Sequence, residues 1–158
     1  MTGLILKPSG ELFRSELSGP MDYEQWGACY TAFRCAVVML GIASPSAVDG
    51  HKDHIRQHAS RYTSCCWPLI YQADTRARRE LAPRVQRRLA QEYSLILNTR
   101  GGAAAASLPY NPDRPWERVY HDMCEEYSFW RKELEDPAIL IITDRIPQSL
   151  LVSNEVPV

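Results

Sequence analysis

Apolar residues in this chain recur at helical spacing. After Asp22, which is placed to cap a helix, Trp26, Tyr30, Phe33, Val37 and Leu40 follow one another in steps of four and three, one face of an amphipathic helix. Gly41 stands where such a helix is closed. Ser44-Pro45 opens a second helix with the cap first and proline in the first turn, and its stripe is Val48, Ile55, Ala59 and Tyr62. A short break at Thr63 to Cys66 leads to a third helix from Trp67-Pro68 through Ile70, Tyr71, Ala77 and Leu81. Pro83 either kinks that helix or begins a new one, and the stripe resumes with Val85, Leu89 and Tyr93. The stretch from Asn98 to Pro115 reads as a loop, with Gly101-Gly102, four alanines, Pro109 and Pro112. The last helix carries Trp116, Tyr120, Met123, Tyr127, Trp130 and Leu134, the most regular stripe in the chain, and Asp136-Pro137 ends it. Ala138 to Ile142 reads either as a strand paired with Leu4-Ile5-Leu6 or as a buried tail.

The fold class that follows is all-α, a bundle of about four or five helices with extended termini and one long loop. The chain divides into an extended N-terminal arm over 1–20, a helical domain over 21–137 with a mobile loop at 98–115, and a short apolar segment and tail over 138–158. With 158 residues the chain is long enough to bury a core without disulfides or metals.

Charge and cysteine content narrow the picture. A net charge of −1 excludes a wholly basic nucleic-acid binder but leaves room for a local basic surface. Five cysteines, an odd number with Cys65 and Cys66 adjacent, argue against a disulfide framework and for a reducing compartment, so the expected localisation is intracellular, cytoplasmic or nuclear. The first residues lack a basic region followed by an apolar run, and no apolar run approaches the ~20 residues of a membrane span, so no membrane partner is expected.

The chemistry-bearing feature is a run of arginines. Arg76, Arg78, Arg79, Arg84, Arg87 and Arg88 lie close together with one acid, Glu80, for a net +5. Arginine matches phosphate and carboxylate geometry bidentately. Residues 117–136 hold seven acids against three bases, net −4, so the arginines have three readings: a solvated face or one paired with acids of this chain or of another copy, a protein partner, and the phosphates of a nucleic acid. The other candidates are weaker. His51, His54 and His58 share one flank of the second helix, but Asp53 faces away and no zinc motif surrounds them, so no metal is expected. Cys29, Cys35 and Cys124 lie on or beside apolar stripes and read as buried and inert. Gly101-Gly102 lacks the lysine and hydroxyl of a phosphate loop. The four tryptophans read as core anchors. The expectation is therefore a non-enzymatic chain with no cofactor, no metal and no small-molecule substrate.

Several segments together carry a resemblance: Leu17-Ser18-Gly19-Pro20-Met21-Asp22-Tyr23 with Trp26; Phe33-Arg34 with Ala36; Trp67 and Ile70-Tyr71-Gln72-Ala73-Asp74 with Arg76, Arg78 and Glu80; Arg114-Pro115-Trp116 with Val119; and Phe129-Trp130 with Glu133-Leu134. Over roughly residues 17–140 the chain resembles a set of uncharacterised helical proteins of protist genomes, often retroelement-associated. In the order of its helices it is similar to retrotransposon Gag capsid domains, although the zinc-knuckle spacing of cysteines and histidine is absent. The resemblance implies an all-helical domain that self-associates and packages RNA, and it assigns no functional residue. Three roles remain open: a Gag-like structural and assembly domain with weak RNA contact through the arginine-rich helix, a helical adaptor that binds a protein partner in a larger complex, and a nucleic-acid binder.

Overall fold

The fold is that of an all-α helical bundle, seen in a computed structural model that describes residues 2–6, 8, 12–16, 19–62 and 64–143. The helices are α1 (Tyr23–Met39), α2 (Pro45–Arg61), α3 (Trp67–Arg76), α4 (Ala82–Arg100), α5 (Gly102–Ala106), α6 (Glu117–Cys124), α7 (Tyr127–Trp130) and α8 (Asp136–Ile142). At the N-terminus the backbone of β1 (Thr2–Leu6) pairs antiparallel with β2 (Leu12–Glu16), Leu4 opposite Arg14.

Local chemistry explains the helix ends. The main-chain N–H of Gln25 donates to Asp22 Oδ1 at 2.8 Å, and the Gln25 side chain accepts from the Met21 N–H at 3.0 Å, so two donors at the start of α1 are satisfied reciprocally. Gly41, at φ 67°, closes α1: its N–H reaches Val38 O and that of Ile42 reaches Val37 O, a Schellman pair that a left-handed residue makes possible. At the start of α2 the N–H of Ser44 donates to Glu117 Oε2 at 2.6 Å and its hydroxyl donates to Oε1 at 2.5 Å. A carboxylate held there from α6 meets the positive end of the α2 dipole and pins the two helices together.

Two prolines sit inside helical runs. Pro83 has no N–H and its ring collides with the carbonyl four residues back. The chain absorbs it with a π turn over Ala77–Leu81, in which the Ala82 N–H reaches back five residues to Ala77 O. Pro137 repeats the device: Arg131–Glu135 is a π turn and the Asp136 N–H reaches Arg131 O. Asp136-Pro137 therefore does not end the last helix, which continues as α8 to Ile142. Ala138 to Ile142 is helix, not strand, and Leu4, Ile5 and Leu6 pair with β2 instead. The expected single helix from 116 is broken at Glu125-Glu126, where the N–H groups of both glutamates turn back to carbonyls three residues earlier and α6 closes. The stretch read as a loop at 98–115 opens with the last turn of α4 and with α5, and buried Ala105 and Tyr110 anchor it. The tail from 144 to 158 lies outside the described residues.

The described residues fall into two units. The first, within Met1–Cys29, Ile55–Thr75 and Tyr127–Val158, buries Trp26, Ile55, Trp67, Ile70, Trp130 and Leu134. Its polar centre is Asp74, fully buried, whose Oδ2 accepts from Trp26 Nε1 at 3.0 Å. The Nε1 of Trp67 donates to Pro20 O at 3.0 Å, and Gly19 lies so close to Tyr71 that a Cβ would stand 2.5 Å from the ring. The second unit, Tyr30–His54 and Arg76–Glu126, buries Val48, His51, Leu81, Val85, Val119 and Met123. Within it α4 packs against α5 and α6, and Arg34 grips Asp49 through Nε at 2.5 Å and Nη2 at 3.0 Å.

Removing the carboxylate at the first unit's centre leaves the buried Trp26 N–H without this acceptor. Asp74→Ala is expected to lower stability by about 1–3 kcal/mol in urea titration, while Asp74→Asn, which keeps an acceptor oxygen, costs less; equal losses would show that the indole bond is not what matters. In the second unit Glu117→Ala removes the cap on α2, with an expected loss of about 1–2 kcal/mol. An unchanged midpoint would show that water replaces the carboxylate at no cost.

Candidate nucleic-acid interface

All six arginines singled out from the sequence are exposed. Arg76 ends α3 and approaches Glu80 at 3.9 Å, Arg78 and Arg79 lie on the π turn, and Arg84, Arg87 and Arg88 lie on α4. The inward side of the same run is apolar: Ala77, Leu81, Ala82, Val85 and Leu89 are buried. Arg84, Arg87 and Arg88 are spaced i, i+3, i+4, so they form one continuous outward face of α4.

Among the described residues, the charge of Arg79, Arg84 and Arg87 is not spent on the acidic segment. Arg88 reaches Glu126 at 2.5 Å. The acids of α6 and the residue after it are placed elsewhere: Glu117 on Ser44, Asp122 on Arg118 at 2.8 Å, and Glu125 within 3.5 Å of His121. Further along, Glu135 faces Arg61 and Asp136 faces Arg131. Arg79, Arg84 and Arg87 have no acid partner among the described residues. Like charges at i, i+3 and i, i+4 oppose a helix by about 0.2–0.5 kcal/mol a pair, so this face carries a small standing cost that an external anion would relieve. Arg78 bears on one buried group: burial raises the Tyr120 hydroxyl pKa, and Arg78 acts against that rise.

The histidines divide. In the second unit His51 is fully buried between Tyr30, 5.7 Å between ring centres, and Tyr120, 6.3 Å. In the first unit His58 stacks on Tyr62 and on Trp130. Each ring packs against aromatic neighbours. A different cluster, which sequence spacing did not single out, sets His121, Asp122 and Glu125 with ligand atoms within 4.8 Å of one another. Its central carboxylate is already paired with Arg118, which lowers its value to a cation. Cysteines and tryptophans also depart from expectation. Cys29 and Cys35 are exposed rather than buried, and Cys124 is half-buried. Trp116 is 37% exposed, whereas the other three tryptophans are core. No helix among the described residues is long and apolar enough to cross a membrane.

His58 generates a pH prediction. Burial, with Arg61 as a lesser cause, lowers its pKa from the usual 6.5 to about 4. Between those values the unfolded chain binds a proton that the folded chain refuses. Stability contributed by neutral His58 is therefore full above 6.5 and is lost as pH falls toward 4, by roughly 2–3 kcal/mol. Urea midpoints at neutral and mildly acid pH measure the loss, and His58→Phe is expected to flatten it. A variant as acid-sensitive as the parent would assign the loss to other groups.

Comparison with protein-family models, with curated proteins and with solved structures found no match to this chain.

Proposed function

We propose that this chain is a non-enzymatic, Gag-like structural and assembly domain that self-associates and makes weak RNA contact through its arginine-rich helix. The observation that carries the reading is the outward face of α4, where Arg84 and Arg87 stand exposed with no acid partner among the described residues and Arg88 lies beside them. Guanidinium groups so arranged offer forked donors to successive phosphates and read no base edge, which gives affinity without sequence preference. The two acids of α6 are engaged within their own unit, Glu117 on Ser44 and Asp122 on Arg118, and are not turned to Arg84 or Arg87. Assembly is supported by apolar side chains that the second unit leaves in solvent: Met39 is 85% exposed, Leu40 74% and Leu95 62%. The same residues support a second reading, a helical adaptor in which a different protein covers them.

RNA binding is measured by fluorescence anisotropy on an unstructured oligonucleotide across a salt series. Three phosphate contacts predict a slope of log K against log salt of about −2 to −3, and Arg84→Ala, Arg87→Ala and Arg88→Ala together are expected to remove most of it. Unchanged affinity in the triple variant would overturn the RNA part. Light scattering at rising concentration tests the assembly part: growth in mass that Met39→Ser with Leu40→Ser abolishes supports it, and a monomer throughout leaves only the adaptor reading.

A further inference from the structure

Cys124 is the last residue of α6, half-buried, and its Sγ lies 3.9 Å from Nδ1 of His51. The two residues are 73 positions apart in sequence, and α2 and α6 bring them together within the second unit. The imidazole cannot turn away easily. It is fully buried, with Tyr30 against one side and the edge of Tyr120 against another. The Tyr30 hydroxyl is itself fixed, donating to Val48 O at 2.7 Å. A thiol within reach of an imidazole nitrogen whose ring is held by its neighbours is the arrangement that activates a sulfur nucleophile.

From this geometry we infer that Cys124 and His51 form a thiol modification site that takes small, neutral, soft electrophiles. The surroundings define both the mechanism and the selectivity. Cys124 is followed by Glu125 and Glu126, of which Glu126 pairs with Arg88 and Glu125 lies within 3.5 Å of His121. With His51 Nδ1 at 3.9 Å the proton leaves during attack: the S–H bond breaks toward that nitrogen as sulfur forms its bond to the electrophilic carbon, and the leaving group departs with its electron pair. The Glu125 carboxylate, next to Cys124 in sequence and with no arginine or lysine partner among the described residues, repels anionic reagents, which leaves neutral ones favoured. Cys29 and Cys35 serve as internal references, since both are exposed and neither has a histidine contact among the described residues.

The experiment follows alkylation of each cysteine in the full chain by peptide mass spectrometry, with limiting iodoacetamide and, separately, iodoacetate. With iodoacetamide the carbon–iodine bond breaks, iodide leaves, and the thiol proton passes to His51. Cys124 is expected to react about tenfold faster than Cys29 and Cys35 despite its lower exposure, a modest share of what a positioned base can supply. The advantage is expected to shrink severalfold with iodoacetate, because Glu125 repels it. His51→Phe, checked for folding by circular dichroism, is expected to bring Cys124 below the two references. Should that variant fail to fold, the parent chain alone decides. A Cys124 rate at or below those of Cys29 and Cys35 with iodoacetamide overturns the inference, as does an advantage that survives in folded His51→Phe.

Discussion

A proline inside a helix requires that the carbonyl four residues behind it be moved aside, and this chain meets the requirement twice in the same way. Each time a π turn comes immediately before the helix that carries the proline as its second residue. The consequence is one of register. Buried Ala77, Leu81, Val85 and Leu89 follow each other in steps of four. In an ideal α-helix such a stripe slides round the axis by about 40° per step, and a wider turn takes up part of that slide. The apolar side thus keeps facing inward from Ala77 to Leu89, and the arginines between these residues are kept outward. The exposed charge of α4 and the buried packing beneath it come from one accommodation to Pro83.

Electrostatics within the second unit then differ between its two signs. Three of its acids have structural employment: Glu117 satisfies the start of α2, Asp122 steadies Arg118, and Glu126 meets Arg88. Its arginines are mostly left to solvent. A near-zero net charge therefore conceals an uneven surface in this unit, where Arg79, Arg84 and Arg87 have no acid partner among the described residues while Glu117, Asp122 and Glu126 are each bonded to a neighbour.

Much of the fold was legible because helix ends are written locally. Asp22, Gly41 and Ser44-Pro45 each act on groups within a few residues, and the structure uses them as their chemistry suggests. The apolar stripes were less reliable. Spacing places Phe33, Leu40, Trp116 and Tyr127 inside, yet they are exposed, because periodicity shows which side of a helix a residue is on and not whether anything lies against that side. The same limitation hid the break at Glu125-Glu126, across which the stripe runs on unaltered. The prolines were legible as disturbances but not in outcome, since a π turn depends on what the rest of the helix buries. Contacts such as Trp26 with Asp74, 48 residues apart, and Cys124 with His51 have no local signature at all.

The placement of the tryptophans has an optical consequence. Trp26, Trp67 and Trp130 are all buried in the first unit, and the second holds only Trp116, in contact with water. Indole emission shifts to longer wavelength on hydration, so the blue part of the intrinsic spectrum belongs to one unit and the red part to the other. The red side of the emission band reports on the surroundings of α6, and its blue side reports on the core around Asp74. The chain thereby carries a built-in pair of reporters that tells whether its two units lose structure together or in turn.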